Sequence, residues 1–210
     1  EKAGIRCGLI GTLGQRFSSN EGYSCTKHTT PQSPELQETF KKMLNDGIKY
    51  VVMEVSSHAL EQYRVGACEF DGAVLTNLTQ DHLDYHITMD NYFKAKSKLF
   101  EGLKNNQKKN KYAVINLDDP SAGRFIRSVP DDTRLLTYGI NNKADITAKN
   151  IEFSVYGSNF ECATPAGTRQ VNLQMTGLFS IYNALAALAV GIAENIDLDT
   201  CIKALESTKS

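Results

Sequence analysis

The sequence predicts an α/β fold, three layers built around a doubly wound and mostly parallel sheet, with a small antiparallel side sheet. Three observations predict it. Short apolar runs such as Tyr50-Val51-Val52-Met53 and Ala73-Val74-Leu75 are continuous rather than alternating, the pattern of a parallel strand covered on both faces. These runs alternate along the chain with amphipathic helical segments, as in successive βαβ units. After Asp145 the rhythm changes to short alternating segments broken at Gly157-Ser158-Asn159 and Pro165-Ala166-Gly167, which read as antiparallel hairpins.

The elements follow in order. Glu1-Lys2-Ala3-Gly4 reads as a last helical turn with a glycine stop, so a preceding segment is expected. Residues 5–12 read as a strand. Ser33 and Pro34 supply an N-cap and first helical position for a helix whose apolar face is Leu36, Phe40, Met43 and Leu44, ended by Gly47. A strand over 50–55, a short helix near 58–64, a strand over 73–78 and a helix over 89–103 come next. Residues 112–117 form a strand, 121–127 a helix and 134–138 a strand. Residues 181–192 are apolar almost all round, as in a buried helix, and 199–205 form a last helix.

With 210 residues and 41% hydrophobic content, the chain is long enough to bury a sizeable core. A net charge of −1 and a pI near 6.5 give no global basic field, which argues against nucleic acid as a partner. Any anionic ligand must then be held by local cations, metal or backbone amides. Five cysteines without a Cys-x-x-Cys pair argue against a zinc ribbon or disulfide framework and fit a cytoplasmic protein. No apolar run is long enough to span a membrane.

Chemistry-bearing residues gather where apolar runs end, the place where ligands bind in open α/β sheets. Glu54 follows one run, and Asp81 and His82 follow another. Glu54 and His82 are candidate magnesium ligands, although histidine is an unusual donor for so hard a cation. Lys96 falls on the apolar stripe Met89, Tyr92, Phe93, Leu99, Phe100, Leu103, while Asp90, Asn91, Lys94, Ser97, Lys98 and Glu101 point away. A lysine there is paired, neutral or chemically modified, or it snorkels to water, and spacing alone does not choose. Thr29-Thr30-Pro31 precedes a helix and offers hydroxyls and amides to an anion, or is an ordinary loop and cap. Arg64 is a candidate partner for a carboxylate or phosphate. Asn183 is either a polar contact early in an apolar helix or an amide that reads a base. His58 and His86 carry no such support and take structural roles.

Taken together, these residues resemble the central domain of the Mur ligase family, nearest to its tripeptide-synthetase type. The motifs are Glu54-Val55-Ser56-Ser57-His58-Ala59-Leu60-x-Gln62-x-Arg64, Thr76-Asn77-Leu78-x-x-Asp81-His82-Leu83-Asp84-Tyr85-His86, Tyr92-x-x-Ala95-Lys96 and Gly177-x-Phe179-x-x-Tyr182-Asn183-Ala184. The resemblance covers essentially the whole of 1–210 and implies a fold related to the P-loop nucleotide hydrolases. It implies an ATP- and Mg2+-dependent ligase of peptidoglycan synthesis. Such a ligase adds lysine or diaminopimelate to UDP-N-acetylmuramoyl-L-Ala-D-Glu through an acyl phosphate. On that resemblance Lys96 is a carbamylated catalytic lysine and, with Glu54 and His82, holds a magnesium ion. Thr29, Thr30, Ser56, Gln62 and Arg64 hold the UDP-muramoyl dipeptide, and Asn183 approaches adenine.

Three departures accompany it. The family's phosphate loop is absent, as are its UDP-binding N-terminal and amino-acid-binding C-terminal domains, so a chain inactive by itself is expected. His28 and Ser180 stand where asparagine is common. The alternatives are a related ligase of the cyanophycin or folylpolyglutamate synthetase kind, or a non-catalytic module that holds a nucleotide sugar.

Overall fold

The computed structural model describes residues 1–81, 83–105 and 107–208. In chain order the strands are β1 (Cys7–Gly11), β2 (Gly14–Arg16), β3 (Tyr50–Met53), β4 (Gly72–Leu75), β5 (Tyr112–Asn116), β6 (Arg134–Gly139), β7 (Ile146–Ser154), β8 (Gly157–Thr164) and β9 (Gly167–Leu173). The helices are α1 (Ser33–Asn45), α2 (Ser57–Glu61), α3 (Leu83–His86), α4 (Met89–Glu101), α5 (Ala122–Ile126), α6 (Leu178–Ala193) and α7 (Leu198–Glu206). Two compact units result, one of residues 1–68 and 82–99, the other of residues 69–81 and 100–210.

The first unit carries a three-stranded sheet in the order β2-β1-β3, with β1 and β3 parallel and β2 antiparallel to β1. The apolar run of β3 led to the expectation of a strand covered on both faces. It is instead an outer strand with β1 as its one neighbour among the described residues, and Val52 is 59% exposed. Helix α1 begins one residue earlier than its sequence signals suggest: Gln32, not Ser33, is the N-cap, and it makes no side-chain capping bond. Leu36, Thr39 and Met43 are the residues it buries. Leu44, read as part of the apolar face, is 62% exposed, whereas the Thr39 hydroxyl is buried because it donates to Gln15 Oε1 at 3.1 Å.

The second unit carries six strands in the order β4-β5-β6-β7-β8-β9. The ladders from β4 to β7 are parallel, and β7-β8-β9 form the expected antiparallel hairpins, joined to β6 through only two paired positions. The first hairpin turns at Val155-Tyr156, so Gly157-Ser158-Asn159, read as a break, opens β8 instead. Every residue of β5 is buried, as an inner parallel strand requires. Helix α6 lies against β5, β6 and β7, and α7 lies against α6 and β9. Asp197 caps α7 by accepting from the Thr200 amide. Phe160, Ile181, Leu185 and Leu188 are fully buried in this core.

Tyr138, 1% exposed, donates its hydroxyl to the Leu75 carbonyl at 3.0 Å and so ties β6 to the end of β4. Tyr138→Phe should therefore cost about 1 kcal/mol. Phe160→Ala, which opens a cavity, should cost about 3–5 kcal/mol. Urea denaturation of both variants measures these losses, and a Phe160→Ala cost no greater than that of Tyr138→Phe would contradict this account of the core.

Candidate functional site

In the first unit the strand ends and the loop before α1 meet in one hydrogen-bonded cluster. β3 ends in Met53, and Glu54 continues the ladder by donating its amide to the Ile10 carbonyl at 2.9 Å. The Glu54 carboxylate is thus carried to the carboxyl end of β1. There its Oε2 accepts from the Thr12 amide at 3.0 Å and from the Thr12 hydroxyl at 2.6 Å. Gly11 makes this approach possible, because a Cβ there would stand 2.8 Å from the carboxylate. Thr12 Oγ1 lies 3.2 Å from Thr29 Oγ1.

Thr30, fully buried, uses its hydroxyl twice. It donates to the Glu54 carbonyl at 2.9 Å and accepts from the Ser56 amide at 3.0 Å. Ser56 caps α2, its Oγ accepting from the Ala59 amide at 3.2 Å. Arg64 donates to the Thr30 carbonyl at 3.0 Å and grips Gln62 Oε1 through Nε and Nη2, at 3.0 and 2.6 Å. The fork anticipated for an anionic partner is thus held against the chain itself. Thr29, Thr30, Glu54, Ser56, Gln62 and Arg64, picked from separate motifs, form one network, and Thr12 joins it unforeseen.

Lys96 is half-buried on α4, with Nζ 5.3 Å from the centroid of the Tyr92 ring. Tyr92 stacks on His86 at 5.2 Å, and His86 meets Tyr85 at 4.9 Å and His58 at 5.6 Å. His86 Nε2 lies 2.9 Å from Ser57 Oγ. The structural roles read for His58 and His86 fit this stack. Ser97, read as pointing away, is 3% exposed, because its hydroxyl folds back 3.0 Å to the Lys94 carbonyl and needs no water. His82 lies outside the described residues.

The donor set fits magnesium better than a softer cation. Among the described residues no three His, Cys, Asp or Glu side chains converge on one point. Glu54 offers one exposed carboxylate, with Thr12 occupying Oε2 and no hydrogen bond made to Oε1 by a described residue. One carboxylate completed by water and a substrate phosphate is how Mg2+ is usually bound, in contrast to an all-protein cage.

The second unit holds a strand-end cluster that sequence reasoning passed over. Asp119 Oδ2 accepts from the Leu78 amide at 2.6 Å and its Oδ1 from the Ser121 amide at 2.7 Å. The Asp118 carboxylate accepts from the amides of Ile140, Asn141 and Asn142, the Asn142 side chain and the Tyr182 hydroxyl. Burial alone would raise the Asp118 pKa, but these donors outweigh it and bring it from an ordinary 3.8 to about 2. Burial and the Asp118 carboxylate together push the Tyr182 phenol up to about 12. Asn183, the next residue, is exposed near the start of α6. The available signal was Asn116-Leu117-Asp118-Asp119-Pro120 at the end of a buried strand.

Against known proteins, the Mur ligase middle domain matches residues 1–191. A UDP-N-acetylmuramoyl-L-alanyl-D-glutamate--2,6-diaminopimelate ligase of Bacillus velezensis is 49% identical over 208 residues, 98% of this chain and 42% of that protein. A solved structure of a ligase with the same name superposes with a TM-score of 0.85 at 33% identity, covering 97% of this chain and 41% of that one. A MurF ligase from Thermotoga maritima in complex with ADP shares the fold, with a TM-score of 0.69 at 20% identity over 100% of this chain and 43% of that one. The chain therefore spans about two fifths of the length of the curated relatives it matches.

Two tests follow from the geometry. Thr30→Val keeps the shape but strands the Ser56 amide and the Glu54 carbonyl, so it should cost about 1–3 kcal/mol in thermal or urea unfolding, with Thr30→Ser close to wild type. Asp118 has a depressed pKa in the folded state, so its contribution is complete above its unfolded value and is lost as pH falls from 3.8 toward about 2. Stability measured against pH should show that acid limb, and Asp118→Asn should flatten it.

Proposed function

Because the chain belongs to the Mur ligase family and carries its middle domain, we propose that it serves an ATP-dependent amide-bond ligase of peptidoglycan synthesis. The substrate is UDP-N-acetylmuramoyl-L-Ala-D-Glu, and the amino acid added is diaminopimelate, with lysine as the competing choice. The reaction activates the terminal carboxylate as an acyl phosphate, which the incoming amine then attacks. The enzyme works in the cytoplasm, in keeping with five free cysteines and with no helix of the described residues long and apolar enough to cross a membrane.

The observation that carries this reading is the single network linking Thr29, Thr30, Glu54, Ser56, Gln62 and Arg64 at the ends of parallel strands. In it Arg64 and the Thr29 hydroxyl are fixed in place before any substrate arrives, with the buried Thr30 bracing them from behind, which lowers the ordering cost of binding an anionic sugar peptide. Glu54, held by Thr12, presents an oxygen to magnesium, with His82 and a carbamylated Lys96 as the other protein ligands. Magnesium, when bound, neutralises charge on the transferring phosphoryl group. Lys96 stands half-buried with its Nζ over the Tyr92 ring, and carbamylation draws on the fraction of the lysine present as the neutral amine. The neutral amine adds to carbon dioxide, forming an N–C bond and releasing one proton. The lysine thereby becomes an anion suited to a hard cation. Asn183, exposed near the start of α6, contacts the adenine.

The decisive experiment is ligase activity of the complete polypeptide that contains this chain. Wild type and Lys96→Ala are compared with ATP, Mg2+, the UDP-muramoyl dipeptide, and either diaminopimelate or lysine. Wild-type turnover with diaminopimelate is expected, with a loss of about 10³-fold or more in Lys96→Ala and partial recovery on adding short-chain carboxylic acids. Absence of turnover with either amino acid, alongside retained nucleotide-sugar binding, would replace this reading with that of a binding module.

A further inference from the structure

Asp118 follows β5 at the carboxyl end of an inner parallel strand. Its Oδ2 accepts from the Ile140 amide at 2.6 Å, the Asn141 amide at 2.9 Å and the Tyr182 hydroxyl at 2.8 Å. Its Oδ1 accepts from the Asn142 amide at 2.9 Å and the Asn142 side chain at 2.8 Å. A carboxylate has about four lone-pair sites, so five donors saturate it and leave no oxygen for a metal or substrate. Asp118 therefore acts on other parts of the protein.

Those parts are the 140–142 loop after β6 and the second turn of α6. Gly139 lets the loop wrap so closely, since a Cβ there would come within 3.1 Å of Asp118 Oδ1. At the start of α6 the Gly177 N-cap makes no side-chain bond, and the Ser180 hydroxyl donates back to the Thr176 carbonyl at 3.0 Å, a tie within the helix start itself. The Tyr182 hydroxyl is thus the polar tie that fixes this end of α6 to the strand ends, and Asn183 is the next residue along the helix. Bonds to an ionised acceptor are the stronger kind, which suits a joint that must hold one geometry.

We propose that Asp118, acting through Tyr182, is a positioning residue for the nucleotide: it sets where the Asn183 amide stands to read the base. The inference rests on the nucleotide role proposed for Asn183. Asp118→Asn should be severe in either amide orientation, because its NH2 must face a backbone N–H, on one side that of Asn142 and on the other those of Ile140 and Asn141. Tyr182→Phe is the gentler variant. It removes one hydroxyl, and with it the 3.4 Å bond accepted from the Asn141 side chain, while the amides of Ile140, Asn141 and Asn142 stay clasped on the carboxylate.

The test uses the complete polypeptide, measuring kcat and the KM values for ATP and for the UDP-muramoyl dipeptide, together with melting temperature. Tyr182→Phe should raise the KM for ATP about five- to tenfold, and Asp118→Asn by at least as much with a lower melting temperature, while the KM for the dipeptide in Tyr182→Phe stays within about twofold. In an Asn183→Ala background Tyr182→Phe should add little, since both changes act on one contact. A lower melting temperature with an unmoved KM for ATP in Tyr182→Phe would reduce Asp118 to a loop clasp and overturn the proposal. So would additive effects of Tyr182→Phe and Asn183→Ala. A wild type indifferent to ATP would overturn the functional reading itself, whereas an ATP-dependent wild type with an unaffected Tyr182→Phe would overturn the positioning role alone.

Discussion

The Thr30 hydroxyl sits fully buried between a carbonyl and an amide of the residues that follow β3, donating to Glu54 and accepting from Ser56. The loop before α1 is pinned to the end of the parallel strand by that one oxygen. The rest of the first unit's cluster takes its place from it. The Thr30 carbonyl anchors Arg64, Arg64 orients Gln62, and the neighbouring Thr29 reaches Thr12, which holds the Glu54 carboxylate. A buried hydroxyl used as donor and acceptor is costly to replace with any apolar group. It confers precision on side chains that are themselves largely exposed.

The two units share one device at their strand ends. In each, a carboxylate is gripped by neighbouring donors, and a glycine stands where a side chain would collide with it. Glu54 is paired with Gly11, and Asp118 with Gly139. The devices differ in what they leave over. Thr12 occupies one oxygen of Glu54, so this carboxylate keeps coordinating capacity, whereas Asp118 spends all of its own on the chain. The strand ends of the two sheets thus differ, one carboxylate keeping an oxygen to spare and the other wholly spent on the scaffold.

Much of this was legible in the sequence, because the signals were local. Continuous apolar runs marked the parallel strands, and hydroxyl and carboxylate residues at their ends marked the cluster of Thr30, Glu54 and Ser56. What stayed hidden depended on distant partners. Val52 looks buried because its run is apolar, yet its exposure follows from β3 having one neighbour, a fact of topology. Ser97 looks solvent-facing, but its hydroxyl satisfies itself on the preceding turn. Asp118 draws on amides more than twenty residues away and a phenol beyond them, and backbone amides leave no mark on a sequence. The functional assignments of Lys96 and Asn183 came from resemblance, since spacing alone left each with two readings.

The two units are interleaved along the chain, with boundaries after residues 68, 81 and 99. The last boundary falls inside the continuous helix α4. No single cut frees either unit intact. On the ribosome, the first unit lacks its second segment until residue 99 has emerged, by which time β4 of the other unit is already outside. The three strands of the first sheet have all emerged by residue 53 and can pair early, but their unit is completed only once most of α4 has followed. Strict domain-by-domain folding, the usual safeguard of larger chains, gives way here to an order in which the first strand of the second unit is out before the first unit is whole.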